Sequence, residues 1–331
     1  MKCLWPFNHI SIDTYGYIRP CCAWELWDVK TKPFNINQNK LADYFKSESY
    51  LNLIHSMKKN EFGEGCRDCI LQEQKKIPSM KDESFEDYEY KDIFSIQDME
   101  IKFGNLCNQG CVMCSAGNSS VLENELIKNL KKENIELKEQ VLNYHTNHQI
   151  QSGIKTTPWF ENQERLYEVI EMASRCQKIR FTGGEPTVNN NLYNFLNILK
   201  DLNKNVEIKI TTNGHTFNQR LINVLSNFTQ VIIEVSIDGY KEVQEYIRWP
   251  SKWGNIEKNV SKMIGMQNTS VRLNCTIQVL NVGEIHNLFD WAILKDIDFI
   301  NTYKVWSPSY FSPSLANEKR KEKWGEHPFF L

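Results

Sequence analysis

Three cysteines, Cys107, Cys111 and Cys114, stand at C-x3-C-x2-C spacing just after an alternating apolar run of Met99, Ile101 and Phe103. Thiolates at such short intervals can converge on one soft metal centre, because a loop of this length wraps around a cluster corner. A four-iron cluster has four corners, and this loop fills three of them. One iron is left for a ligand that is not protein. Five further cysteines form a second group upstream: Cys3, Cys21, Cys22, Cys66 and Cys69. Grouping of this kind reads as metal ligation rather than as a disulfide framework. Cys176 and Cys275 stand apart, before or within strand-like runs, and are expected to be small buried thiols.

Other stretches carry chemistry at the ends of strand-like runs. Ile179-Arg180-Phe181-Thr182 leads into Gly183-Gly184-Glu185-Pro186. Paired glycines let the backbone come close to a ligand, and the carboxylate of Glu185 can accept from an ammonium group. In Val235-Ser236-Ile237-Asp238-Gly239, Ser236 and Asp238 are expected on one face, which suits hydrogen bonds to ribose hydroxyls. Thr212-Asn213-Gly214 ends another run as a turn or a ligand contact. Asn274, Thr276 and Gln278 share a polar face opposite Leu273, Cys275 and Ile277. A polar face inside a barrel is costly unless it meets ligand or water. Asn274 is the preferred contact of the three, with Thr276 and Gln278 as candidates for the lumen.

These motifs need elements to hold them. From Met99 onward, strand-like segments over residues 99–103, 178–181, 206–210, 231–237, 271–279 and 299–305 alternate with helical stretches such as 192–202, 217–225 and 253–266. Repeated βα units imply parallel strands with right-handed crossovers, with chemistry at the C-terminal strand ends. Residues 115–177 interrupt the rhythm. Their first half is helical by propensity, with Leu126, Leu130, Leu137 and Val141 on one stripe, and their second half (Trp159, Phe160, Tyr167) is expected to cover the barrel mouth. Upstream, residues 10–22 read as a hairpin that brings Cys3 and Cys21 to one end. Residues 39–59 read as one helix, followed by the knuckle Cys66-Arg67-Asp68-Cys69 and a charged linker over 72–95.

The cysteine loop, the Gly-Gly-Glu-Pro stretch and the βα repeat together resemble the radical S-adenosylmethionine (SAM) superfamily. Hairpin, helix and knuckle resemble its twitch module, the shorter relative of the SPASM domain, through Gly16-x4-Cys21 and Cys66-x2-Cys69. The resemblance implies an α/β fold: a partial (βα)6 TIM-like barrel over 96–306, with a helical insertion at 115–177, preceded by a small α+β cluster-binding module over 1–90. Residues 307–331 remain as a tail. It implies a [4Fe-4S] cluster on Cys107, Cys111 and Cys114, with SAM on the open iron. SAM contacts would come from Gly183, Gly184, Glu185, Ser236, Asp238, Arg248 and Asn274, with Val305 and Trp306 flanking adenine. A second [4Fe-4S] cluster would sit on Cys3, Cys21, Cys66 and Cys69, leaving Cys22 packed or idle. Zinc on the same four thiolates is the alternative. In the familiar members the module follows the barrel, whereas here it comes first.

The implied activity is reductive cleavage of SAM to a 5′-deoxyadenosyl radical that takes hydrogen from a peptide or small-molecule substrate. A reductant such as flavodoxin or ferredoxin would supply the electron. A net charge of −2 and no basic-aromatic cluster argue against nucleic acid as the substrate. No apolar run reaches membrane-spanning length and no secretory signal opens the chain, so a cytoplasmic protein is expected. An electron-transfer protein that never cleaves SAM is the alternative from another class. It would have no use for amino-acid and ribose contacts.

Overall fold

The computed structural model describes residues 1–25, 30–76, 78–89, 96–132, 158–305, 308–317 and 319. Runs with apolar residues at every second position become strands: β1 (His9–Ile12), β2 (Ile18–Arg19), β3 (Asp98–Lys102), β4 (Lys178–Thr182), β5 (Glu207–Thr212), β6 (Val231–Ser236), β7 (Thr269–Ile277) and β8 (Phe299–Lys304). Among the described residues they form one sheet in the order β2-β1-β3-β4-β5-β6-β7-β8. Every pair from β1 to β8 is parallel, and only β1 with β2 is antiparallel. All six expected barrel strands are present, and the fold is a partial TIM-like barrel.

The hairpin forms as expected, with Ser11 opposite Arg19. It does not stand alone. β1 also pairs in parallel with β3, His9 opposite Asp98 and Ile12 opposite Ile101. All four residues of β1 are buried. A lone two-stranded hairpin is marginal in water, and joining the larger sheet covers both its edge and its faces. The hydrophobic core likewise takes in Cys3, Trp5, Ile10 and Ile12 together with Met99, Ile101 and Ile179.

The two faces of the sheet differ sharply. Outward residues such as Phe103 and Phe181 pack under the helix Asn190–Leu202, each with its ring centroid within 5.6 Å of Phe195. The opposite face carries charge. Lys209 reaches Glu234 at 2.6 Å, Arg180 reaches Asp98 at 2.6 Å, and Thr182 donates to Glu100 at 2.5 Å. Burial opposes ionisation of Glu100, but Lys102 and the Thr182 hydroxyl outweigh it and bring its carboxyl down to about 2. A polar inner face survives burial because its groups satisfy one another across strands.

Several expectations are corrected. Residues 39–59 break into a 3-10 segment, Leu41–Lys46, and a helix, Glu48–Lys58. Ser47 between them caps the second by accepting from the Tyr50 amide. The charged stretch expected as linker contains the helix Met80–Asp87, whose Ser84 hydroxyl accepts from the Leu4 amide at 3.0 Å. Trp159 does not cover the mouth. It is fully buried beside Phe103 at 5.7 Å and donates to the Asp13 carbonyl at 2.9 Å. Tyr167 is exposed on the helix Gln163–Ala173. The helix Ser120–Leu130 is present; Leu137, Val141, Trp306 and most of the tail lie outside the described residues.

Candidate metal centres and cofactor pocket

The cysteine loop leaves β3 through Gly104 and is fastened by backbone on two sides. Gly184 and Glu185 donate their amides to the carbonyls of Gly104 and Leu106, at 3.1 and 2.7 Å. On the other side, the amides of Gly110 and Val112 donate to the carbonyls of Trp249 and Ile247, at 2.7 and 2.9 Å. Thus the Gly-Gly-Glu turn and the backbone on either side of Arg248 hold the cysteine loop in place. Gly183 has φ +118°, a conformation that favours glycine. At Gly184 a Cβ would lie 2.6 Å from the Asn105 carbonyl, so this glycine lets the turn approach the cysteine loop closely.

Cys107, Cys111 and Cys114 line one pocket with Gln109, Thr182, Gly183, Gly184, Glu185, Thr211, Ser236 and Arg248. Loss of hydration raises all three thiols, that of Cys111 to about 12, with the Arg248 cation opposing the rise there. Buried soft donors of this kind suit a metal cluster, whose charge favours the thiolate form. Three sulfurs facing a polar pocket fit a cluster with one open corner.

Glu185 is buried. It accepts from the Thr187 amide and hydroxyl and from the Thr212 hydroxyl on Oε1, and from the Asn213 amide on Oε2. Burial raises its carboxyl, and these donors work against the rise. Thr212 and Asn213 are therefore supports for Glu185. Oε2 carries one of the four bonds, which leaves a lone pair for a cationic ligand.

Asp238 does not share the pocket with Ser236. β6 ends at Ser236, and Asp238 is fully buried with both oxygens engaged: Oδ2 with Arg248 Nε at 2.7 Å, Oδ1 with the Thr276 amide at 2.7 Å. It holds Arg248, whose Nη1 lies 3.9 Å from Cys111 Sγ. Asn274 sits on the inner face between Glu234 and Asn301, at 3.2 and 2.9 Å. Val305 donates its amide to the Ile277 carbonyl beyond the end of β8. Neither lines the pocket. Gln278 is fully buried beside the Asn281 turn, not in the open lumen. Gln109, Thr182 and Thr211 line the pocket but were not singled out in the sequence. Only the position of Gln109 between two ligands could have drawn notice.

The second cysteine group also converges. Cys3, Cys21, Cys66 and Cys69 line an apolar pocket walled by Trp5, Trp24, Met57 and Phe62. Cys66 caps the start of the helix Arg67–Gln74, which carries Cys69 one turn on. Among the described residues no three side chains draw together closely enough to grip a single ion. The four thiols line one common pocket, a donor set that suits an iron-sulfur cluster as well as zinc. Cys22 is not among them, and it is not packed. It is exposed at the concave inner face, where enclosure and then Glu100 push its thiol up to about 11, opposed by Lys102 and Arg180. Cys21→Ala should therefore lose the N-terminal cluster, while Cys22→Ala keeps full iron and the cluster's paramagnetic resonance signal. The opposite pattern would hand the ligand role to Cys22.

Comparison with known proteins agrees with this geometry. The family model of the radical SAM superfamily matches residues 101–292, more than half of the chain, and that of the SPASM iron-sulfur cluster-binding domain matches residues 3–70. The GTP 3′,8-cyclase of Nitrobacter winogradskyi is 29% identical over 146 residues, 41% of this chain and 40% of the relative. That of a Sulfurovum species is 25% identical over 134 residues, 40% of each. The chain thus aligns with about two fifths of the length of the curated relatives it matches. Among solved structures, Streptococcus suis SuiB bound to S-adenosylmethionine is 15% identical, with a TM-score of 0.45, over 82% of this chain and 54% of that one. Its cysteine loop, its Gly-Gly-Glu turn and strands β4 to β7 all lie inside the residues that the radical SAM model matches, so the chain belongs to the radical SAM superfamily and carries an N-terminal SPASM-type iron-sulfur module.

Proposed function

We propose that this protein cleaves SAM reductively and removes hydrogen from a polar substrate held at the mouth of the barrel, with an auxiliary [4Fe-4S] cluster close by. The observation that carries this reading is that Cys107, Cys111 and Cys114 share one pocket with Glu185, Ser236 and Arg248. The three cysteines would hold the SAM cluster, and Cys3, Cys21, Cys66 and Cys69 the auxiliary one. When bound, the first cluster supplies the electron that splits the sulfonium of SAM.

The chain's own residues do the positioning. Glu185, fixed by its four donors, offers Oε2 to the ammonium of SAM. Arg248, clamped by Asp238, presents its guanidinium beside the cysteine loop, where a carboxylate would be drawn. Ser236, at the end of β6 and lining the same pocket, would bond the ribose. The inner face, with Glu100, Lys102, Lys209, Glu234 and Asn301, favours a hydrophilic substrate, either a small molecule or a polar part of a peptide. A small electron-transfer protein is the reductant this chemistry calls for.

Glu185→Gln tests the pocket directly. It removes the charge at nearly unchanged volume and sets an NH2 where a carboxylate oxygen accepted, so SAM affinity should fall at least about ten- to a hundredfold, as expected for loss of one charge-assisted hydrogen bond. Iron content should not change, because Glu185 is no ligand. Equilibrium dialysis with labelled SAM checks this. An unchanged dissociation constant would reduce Glu185 to a brace for the β5 turn.

A further inference from the structure

Gln109 lies between two cluster cysteines, is 1% exposed, and has an amide nitrogen with no hydrogen-bond partner among the described residues. Its Oε1 accepts from the Cys111 thiol at 3.7 Å. That bond requires a protonated sulfur. A metal-bound cysteine is a thiolate and can only accept, so the bond cannot survive loading of the site. A half-turn of the carboxamide exchanges oxygen and nitrogen with little change in shape, and it aims the unpartnered N–H at the thiolate.

The same sulfur has a second donor. Arg248 Nη1 stands 3.9 Å from Cys111 Sγ, and Asp238 grips the guanidinium at Nε. Because Asp238 is fully buried, releasing Arg248 would leave an unpaired charge in the interior. Donors and positive charge next to a cluster sulfur stabilise the reduced state, which carries one more negative charge.

We propose that Gln109 and Arg248 both donate to the Cys111 thiolate and raise the reduction potential of the SAM cluster, with Asp238 as the positioning residue for Arg248. This rests on the functional reading above, which places a cluster on Cys111.

Redox titration of the loaded protein, followed by paramagnetic resonance, tests it. The SAM-cluster signal is identified as the one that changes when SAM is added. Gln109→Met removes the donor at similar volume, and Gln109→Glu puts a carboxylate in its place. Both should move the midpoint to more negative potential, Gln109→Glu further. At the wild-type midpoint, the ratio of oxidised to reduced cluster should rise about tenfold, which corresponds to about 59 mV for a one-electron couple. Should Gln109→Met fail to assemble, Gln109→Glu and Arg248→Gln decide, the latter removing the second donor together with its positive charge and so lowering the midpoint as well. Midpoints equal to wild type in the variants, with a wild-type signal that responds to SAM, would overturn this inference alone. A wild-type signal indifferent to SAM would overturn the functional reading and this inference together.

Discussion

Replacing Cys107, Cys111 and Cys114 together by Ala should abolish dithionite-dependent formation of 5′-deoxyadenosine and halve the iron, from about eight to about four per chain, as loss of one of two four-iron clusters would. The three sulfurs belong to one pocket, and the N-terminal four to another. The loop is also anchored by backbone bonds from Gly110, Val112 and Glu185 that do not involve the sulfurs, so the chain should still fold. Product from the triple variant would mean that the loop is not where SAM is split. Loss of all iron would mean that the two centres assemble as one unit.

Gly184→Ala should cost nearly as much with a single methyl group. Its Cβ would lie 2.6 Å from both the carbonyl carbon and the oxygen of Asn105. These are backbone atoms, so no side chain can swing aside, and the cysteine loop itself has to shift. Overpacking of this kind typically costs about 1–3 kcal/mol in stability. The larger effect falls on activity. Displacing a reacting group by about 1 Å can cost about a hundredfold, and the loop carries the cluster ligands. We expect a folded protein with a lower melting temperature and at least that loss in 5′-deoxyadenosine formation. Wild-type turnover would show that the loop does not depend on this approach.

The sequence made the barrel legible because a sheet covered by helices on one face writes a period of two. Met99, Ile101 and Phe103, or Leu273, Cys275 and Ile277, can be read without any partner. The pairing of β1 with β3 could not be read that way. Four buried residues specify a strand, but nothing local names a neighbouring strand so far along the chain: Gln97, which donates to the Asn8 side chain beside this pairing, is 89 positions away from it. The alternation rule failed at Asp238 for a definable reason. β6 ends at Ser236, and beyond it the Asp238 amide bonds the Gln244 side chain, so strand parity no longer sets direction. At Gly184 the residue is legible but the backbone it admits is not, since that backbone belongs to the cysteine loop at Asn105. Cys22 shows the converse. Adjacent cysteines on an extended chain must diverge, and the Gly16 spacing chose Cys21, but only the merged sheet reveals that Cys22 then faces the barrel interior.

On this reading SAM is cleaved at the pocket formed by the cysteine loop, Glu185, Ser236 and Arg248. The most direct test is chromatographic. Anaerobically reconstituted wild-type protein, reduced with dithionite and supplied with SAM, is assayed for 5′-deoxyadenosine and methionine. Both products are expected in equal amounts, dependent on reductant. Protein with its full iron complement that forms neither would contradict this reading.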